Sequence, residues 1–216
     1  MPFASTHSGR DKTLKSLYAR FADRWHQGVL RLGYLAAYDQ LVAYDVDRRS
    51  SPVGAVLDAG TGTGALALSF VQKHPDVKQL TLLDMSPEML ARAQENLQAK
   101  GVETIPHVGA LGTNEIASNI YETILCAHVI EHTDTPEDHL RWFCSRLTKG
   151  GTLLLSVSKP HWCTAIVRWR WGHKAFPPNF VLKMLEDAGF EEISEIRFKS
   201  GPPSRTSCGY RAKRPI

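Results

Sequence analysis

The run Val56-Leu57-Asp58-Ala59-Gly60-Thr61-Gly62-Thr63-Gly64 is the part of this chain best suited to chemistry. Apolar residues lead into a carboxylate, then a turn with glycine at every second position, then an apolar stretch from Ala65 to Val71. A strand, a turn and a helix in that order bring backbone N–H groups close to a ligand at a helix N-terminus. Glycines at this spacing also satisfy a dinucleotide pattern, with Ala65 as its last small residue. Asp58, two places before the first glycine, separates the two readings, because a carboxylate suits a ligand with a cationic head better than a pyrophosphate. A second acid, Asp84, ends the apolar run Leu80-Thr81-Leu82-Leu83. A third polar group, His128-Val129-Ile130-Glu131-His132, follows another apolar run; His128 or His132 could act as a general base there, or Glu131-His132 could merely order the loop into the next helix.

The elements that must position these residues alternate as in a parallel α/β sheet. Strands are expected at Ala55–Asp58, Leu80–Asp84, Thr104–Val108, Thr123–Ala127 and Thr152–Val157. Ser86 and Pro87 open a helix that Gly101 closes. Thr135 and Pro136 open another, with Leu140, Phe143, Cys144 and Leu147 buried and Gly150 as its stop. A third runs from Pro178 to Ala188. Ile193–Phe198 and Thr206–Arg211 then make an antiparallel pair, which a dehydrogenase half-sheet would not have. Ahead of the sheet, Leu14, Leu17, Tyr18, Phe21 and Trp25 share one helical stripe. Leu30, Tyr34, Tyr38, Leu41 and Val42 share another, and both helices are expected across the ligand edge of the sheet.

These segments resemble the class I S-adenosylmethionine (SAM) methyltransferases, from roughly Tyr18 to the C-terminus and most clearly from Pro52 to Ser158. Within that superfamily the chain is similar to the small-molecule group that includes ubiquinone-type methyltransferases. The resemblance implies an α/β fold: a seven-stranded, mostly parallel, Rossmann-like methyltransferase sheet with helices on both faces. It also implies an N-terminal helical cap over residues 1–50, a methyltransferase domain over 51–216 and a lid insertion after strand five. SAM would be the cofactor and S-adenosylhomocysteine (SAH) its product.

By the same resemblance Gly60, Thr61 and Gly62 would carry the methionine portion, with Asp58 organising the turn. Asp84 would accept from the ribose hydroxyls, and Met85 would pack on the adenine. The family often has Gly-Asp after strand three, where this chain has Gly109-Ala110-Leu111, so backbone atoms of Ala110 and Leu111 would replace that side chain. Ala127 and His128 would face the sulfonium. Tyr18 either closes over the cofactor or is one more core aromatic. Related quinone-pathway and small-RNA methyltransferases carry Glu-x-x-Glu-His and can bind a divalent metal. Here His128 replaces the first Glu, so metal is expected to be dispensable.

Substrate choice is expected in the insertion His161–Pro177, where Trp162, Ile166 and Trp169 share a face beside Arg168, Arg170, Trp171, His173 and Lys174. Trp25, Trp162, Arg168 and Arg170 are the expected acceptor contacts. They suit an anionic or aromatic small molecule, held through carboxylate or phosphate pairing and apolar walls. The insertion could instead be structural or dock shallowly on a membrane.

Composition narrows the classes. The chain has 216 residues and a net charge of +4, with no run long and apolar enough to cross a bilayer. Met1 to Arg10 lacks the apolar core of a signal peptide, and Cys126, Cys144, Cys163 and Cys208 lack metal-type spacing, so a cytoplasmic protein with reduced thiols is expected. Cys126 reads as a small core residue and not as a nucleophile. From Gly151 onward eleven Lys/Arg face five Asp/Glu. That excess fits an anionic substrate or RNA, or solvated edge-strand cations. A short chain without an added RNA-binding domain argues against nucleic acid. The expected activity is methyl transfer to an oxygen or nitrogen of a small molecule, with RNA methylation or inactive SAM binding as the alternatives.

Overall fold

The computed structural model describes residues 28, 31–49, 52–161 and 174–216. The expectations for Tyr18, Trp25 and the first helical stripe, and for Trp162, Ile166, Arg168, Trp169, Arg170, Trp171 and His173, lie outside the described residues.

Helix α1 spans Tyr34–Val46. There follow β1 (Val56–Ala59), α2 (Ala65–Lys73), β2 (Gln79–Asp84), α3 (Pro87–Gln98) and β3 (Glu103–Val108). Strand β4 (Tyr121–Ala127) leads through a 3₁₀ turn at Ile130–His132 into α4 (Pro136–Arg146) and β5 (Leu147–Ser158). The chain ends with α5 (Pro178–Asp187), β6 (Glu191–Ile196), α6 (Pro203–Thr206) and β7 (Ser207–Lys213). The seven strands form one sheet in the order β3-β2-β1-β4-β5-β7-β6. Strands β1 to β5 pair in parallel, and β7 runs antiparallel to both β5 and β6. The order reverses direction between β1 and β4, so their C-terminal ends flank the crevice where such sheets bind ligands.

Strand residues alternate between two cores, as the two-residue repeat of a strand requires. Leu57, Ile124, Leu153 and Leu155 meet α4 and α5 on one face. Val56, Leu82, Leu125 and Leu154 meet α1, α2 and α3 on the other. Ser86 caps α3 as expected, with its hydroxyl accepting the Met89 amide at 3.2 Å and Pro87 in the first turn.

Two expectations change. Gly150 is not the stop of α4, which ends at Arg146; β5 begins at once with Leu147 opposite Tyr121. The diglycine that reads as a helix stop is part of strand β5, where Gly150 N–H donates to Arg214 C=O and Gly151 C=O accepts from Arg214 N–H. Helix α1 does not lie across the ligand edge along its length. It packs on the sheet face beside α2, and only its first turns, carrying Tyr34 and Tyr38, reach the end of β4. A buried ion pair fixes it there. Asp45 is fully buried and accepts Arg211 Nε at 2.7 Å and Arg49 at 2.8 Å, while Arg49 also donates to Thr123 on β4.

Candidate active site

The turn after β1 is made by backbone. Gly60 N–H and Thr61 N–H both donate to Leu83 C=O, at 2.7 and 3.0 Å, which ties the turn to the end of β2. Gly60 has φ +71°, and a Cβ there would lie 2.3 Å from Val129 Cγ2, so the loop after β4 closes directly on this glycine. Gly62 has φ +53°, and a Cβ there would meet nothing within 4 Å. Both take the left-handed region that glycine enters without steric penalty. One side of the turn is thus sealed by Val129 and the other is an open cradle.

Asp58 sits beneath this turn, 2% exposed, and accepts the Thr61 hydroxyl at 2.5 Å. Burial pushes its carboxyl up to about 7, with the Thr61 hydrogen bond opposing and Asp84 adding repulsion. Asp84 ends β2. Its Oδ2 accepts Gly62 N–H at 2.8 Å and its Oδ1 accepts Ser86 N–H at 2.9 Å. Burial raises its pKa, against the amide bonds that lower it. Met85 beside it is half-buried. After β3, Gly109 N–H donates to Asp84 C=O at 2.9 Å, which brings the following Ala110 and Leu111 to the same edge; Ala110 is exposed and Leu111 half-buried.

SAM fits this set of groups. A carboxylate has about four acceptor sites, more than its bonds from the Gly62, Ser86 and Met85 amides occupy, so Asp84 can also accept from the ribose. The space over Gly62 is open to a ligand, and Asp58 when ionised would contribute negative potential toward a cation.

The loop after β4 is made by side chains. His128 follows half-buried Ala127 and has φ +58°, a left-handed conformation costing roughly 1–2 kcal/mol for a residue with a Cβ. Several bonds hold it. Its amide donates to Ser156 C=O at 2.8 Å. Nδ1 lies 3.1 Å from Glu131 Oε1 and 3.1 Å from Ser158 Oγ, and Nε2 lies 3.2 Å from Ser156 Oγ. A carboxylate only accepts, so in the neutral ring Nδ1 carries the proton and Nε2 accepts from Ser156. The Tyr34 ring meets the imidazole edge-on at 5.1 Å, and Tyr38 stands 6.4 Å away. Tyr34 Oη is 3.3 Å from Ser207 Oγ, across from Ser158 in the β5–β7 register. His132 is half-buried in the 3₁₀ turn, which its amide closes by donating to Val129 C=O at 2.9 Å.

The structure therefore brings Asp58, Gly60, Thr61, Gly62, Asp84 and Met85 together, with Ala127 and His128 across the crevice. The sequence reading missed Tyr34, Tyr38, Ser156, Ser158 and Ser207 as site residues. The spacing Ser156-x-Ser158 was the only local signal, since it puts two hydroxyls on one face of a strand. Cys126 is fully buried in the core with its thiol pushed up by burial, which makes it an inert packing residue. Among the described residues no group of three or more His, Cys, Asp or Glu could hold a metal ion. No helix among them is long and apolar enough to cross a membrane.

Comparison with known proteins agrees with this fold. A family model described as a methyltransferase domain matches residues 18–195. The ubiquinone biosynthesis O-methyltransferase of Xanthomonas campestris is 27% identical over 167 residues, covering 71% of this chain and 64% of that protein. The tRNA 5-carboxymethoxyuridine methyltransferase of Escherichia coli is 31% identical over 124 residues, covering 54% of this chain and 46% of that protein. The chain thus spans less than two thirds of these curated relatives. Among solved structures, magnesium protoporphyrin IX methyltransferase of Synechocystis PCC 6803 with bound SAM superposes with a TM-score of 0.73 at 21% identity, covering 98% of this chain and all of that one. With the family model matched over most of its length, this chain belongs to the methyltransferase-domain family of class I SAM-dependent methyltransferases.

Proposed function

We propose that this protein transfers a methyl group from SAM to an oxygen or nitrogen of a small-molecule acceptor. The observation that carries the reading is the Asp84 carboxylate, held by Gly62 N–H and Ser86 N–H beside the open face of the glycine turn. SAM when bound supplies a methyl group already made electrophilic by its sulfonium, so no covalent intermediate on the protein is needed. Asp84 holds the ribose, the Gly60–Gly62 backbone carries the methionine portion, and Met85 packs on the adenine. Ala110 and Leu111 offer backbone atoms to the adenine edge. Ala127 and His128 face the sulfonium, and Tyr34 with Tyr38 excludes water from the acceptor side. An acceptor that loses a proton passes it to His128 Nε2, in place of the Ser156 hydroxyl bond; His132 is the alternative base. Acceptor contacts from Trp25, Trp162, Arg168 and Arg170 rest on the sequence pattern alone.

The names of the relatives support a small acceptor, since quinone-pathway and porphyrin methyltransferases are among them. So does the state of the basic C-terminal third. Lys159, Lys174, Lys183, Arg197, Arg211, Lys213 and Arg214 each bond to a carbonyl or carboxylate of the chain itself. A second reading, RNA methylation, is favoured by the 31% identity to the tRNA enzyme. Incubation with methyl-labelled SAM separates the two. The expected result is label in phenols, carboxylic acids or amines from a metabolite panel; label confined to total tRNA would replace this reading with the second.

A further inference from the structure

We propose that the buried carboxylate of Glu131 selects the sulfonium form of the cofactor over its thioether product, and so favours exchange of spent SAH for fresh SAM. The inference rests on the cofactor placement proposed above.

Glu131 is 0% exposed, an expensive position for a charge unless bonds hold it. Its Oε1 accepts Ser158 N–H at 2.6 Å, a short charge-assisted bond, and lies 3.1 Å from His128 Nδ1. Its backbone carbonyl accepts Lys174 N–H at 3.1 Å. The carboxylate therefore cannot turn away from the end of β4. The same loop reaches the cofactor turn, because Val129 seals Gly60. Tyr38 Oη and Cys126 Sγ sense both sites: burial raises each group most, and Glu131 and Asp58 add to both. Two buried carboxylates thus act on one small region between the ends of β1 and β4.

SAM and SAH have nearly the same shape and differ by one methyl and one positive charge at sulfur. A fixed negative charge in a water-poor site discriminates between them, since charge–charge energy rises as the effective dielectric falls. Substitution of a loop anchor without electrostatic influence would change the affinity for both ligands by the same factor. That difference separates a selecting charge from a structural one.

The test is calorimetric titration of SAM and of SAH into the wild type, Glu131→Gln, Glu131→Asp and Asp84→Ala. Glu131→Gln keeps the shape and removes the charge. The expected result is a fall of roughly tenfold in the SAM-to-SAH affinity ratio, with SAH affinity nearly unchanged. Glu131→Asp, which keeps the charge, should preserve most of the ratio. Equal weakening of both ligands by Glu131→Gln, or an unchanged ratio, overturns the inference. Should Glu131→Gln fail to fold, the wild type and Glu131→Asp decide: SAM binding no tighter than SAH in both overturns it. Asp84→Ala is expected to weaken both ligands alike. If it affects neither, the cofactor placement fails, and this inference with it.

Discussion

The two sides of the crevice are built in different ways. On the β1–β2 side, Gly60, Thr61 and Gly62 present amides that bond to Leu83 C=O and the Asp84 carboxylate, all within 27 residues of sequence from Asp58 to Asp84. On the β4–β5 side, side chains from α1, the loop after β4, β5 and β7 meet around His128, with Tyr34 and Ser207 separated by 173 residues. A site made of backbone depends on conformation, so few residue types fit and they recur as a motif. A site made of side chains on a fixed frame can change its chemistry one residue at a time. The first suits a cofactor common to a family, and the second suits an acceptor that differs between members.

Breaking the frame of the second side should have the largest effect. Asp45→Ala leaves Arg211 and Arg49 without their shared carboxylate, at a cost of about 3–5 kcal/mol. Urea unfolding measures this, and the folded fraction should still bind SAH if the two sides are separable. Asp84→Ala acts on the first side. It should weaken SAH binding by about 1.5–3 kcal/mol, as for bonds to a charged group, with a much smaller change in the urea midpoint.

The pH dependence sharpens the contrast further. The Asp58 carboxyl is raised from 3.8 to about 7 in the folded protein. Its contribution to the stability of the ligand-free protein is therefore full below the unfolded value and is lost as pH rises through 7. A cationic ligand favours the ionised form, so SAM binding follows the opposite trend. The rise in thermal midpoint on adding SAM should grow from pH 6 to pH 8, by about 1.4 kcal/mol of binding per unit of Asp58 shift. A flat response would remove Asp58 from the ligand's field. The smallest effect is expected for Ser156→Ala, which deletes the partner of His128 Nε2. Stability should fall by about 0.5–1.5 kcal/mol, SAH affinity should hold, and turnover of the identified acceptor should fall.

The same contrast decides what could be read in the sequence. Asp58, the three glycines and Asp84 carry their structure in local spacing, and the strands they end were placed within a residue or two. Glu131 and His128 were visible as a polar group, but their partners Ser158 and Ser156 looked like ordinary small strand residues. Nothing local says that Tyr34, on a stripe that reads as core, ends against an imidazole 94 residues away. The start of β5 was hidden because Gly150-Gly151 is a good helix stop in sequence. Pairing with Tyr121 and Arg214, both distant, turned that segment into strand.

The central claim is that SAM lies between the glycine turn and His128, with Asp84 on its ribose. A crystal structure of the complex with SAH tests this most directly. The expected result is both ribose hydroxyls about 2.5–3.0 Å from the Asp84 oxygens, with the sulfur between Gly60 and the Ala127–His128 peptide. A ligand whose ribose lies away from Asp84, or whose sulfur lies away from the end of β4, would contradict it.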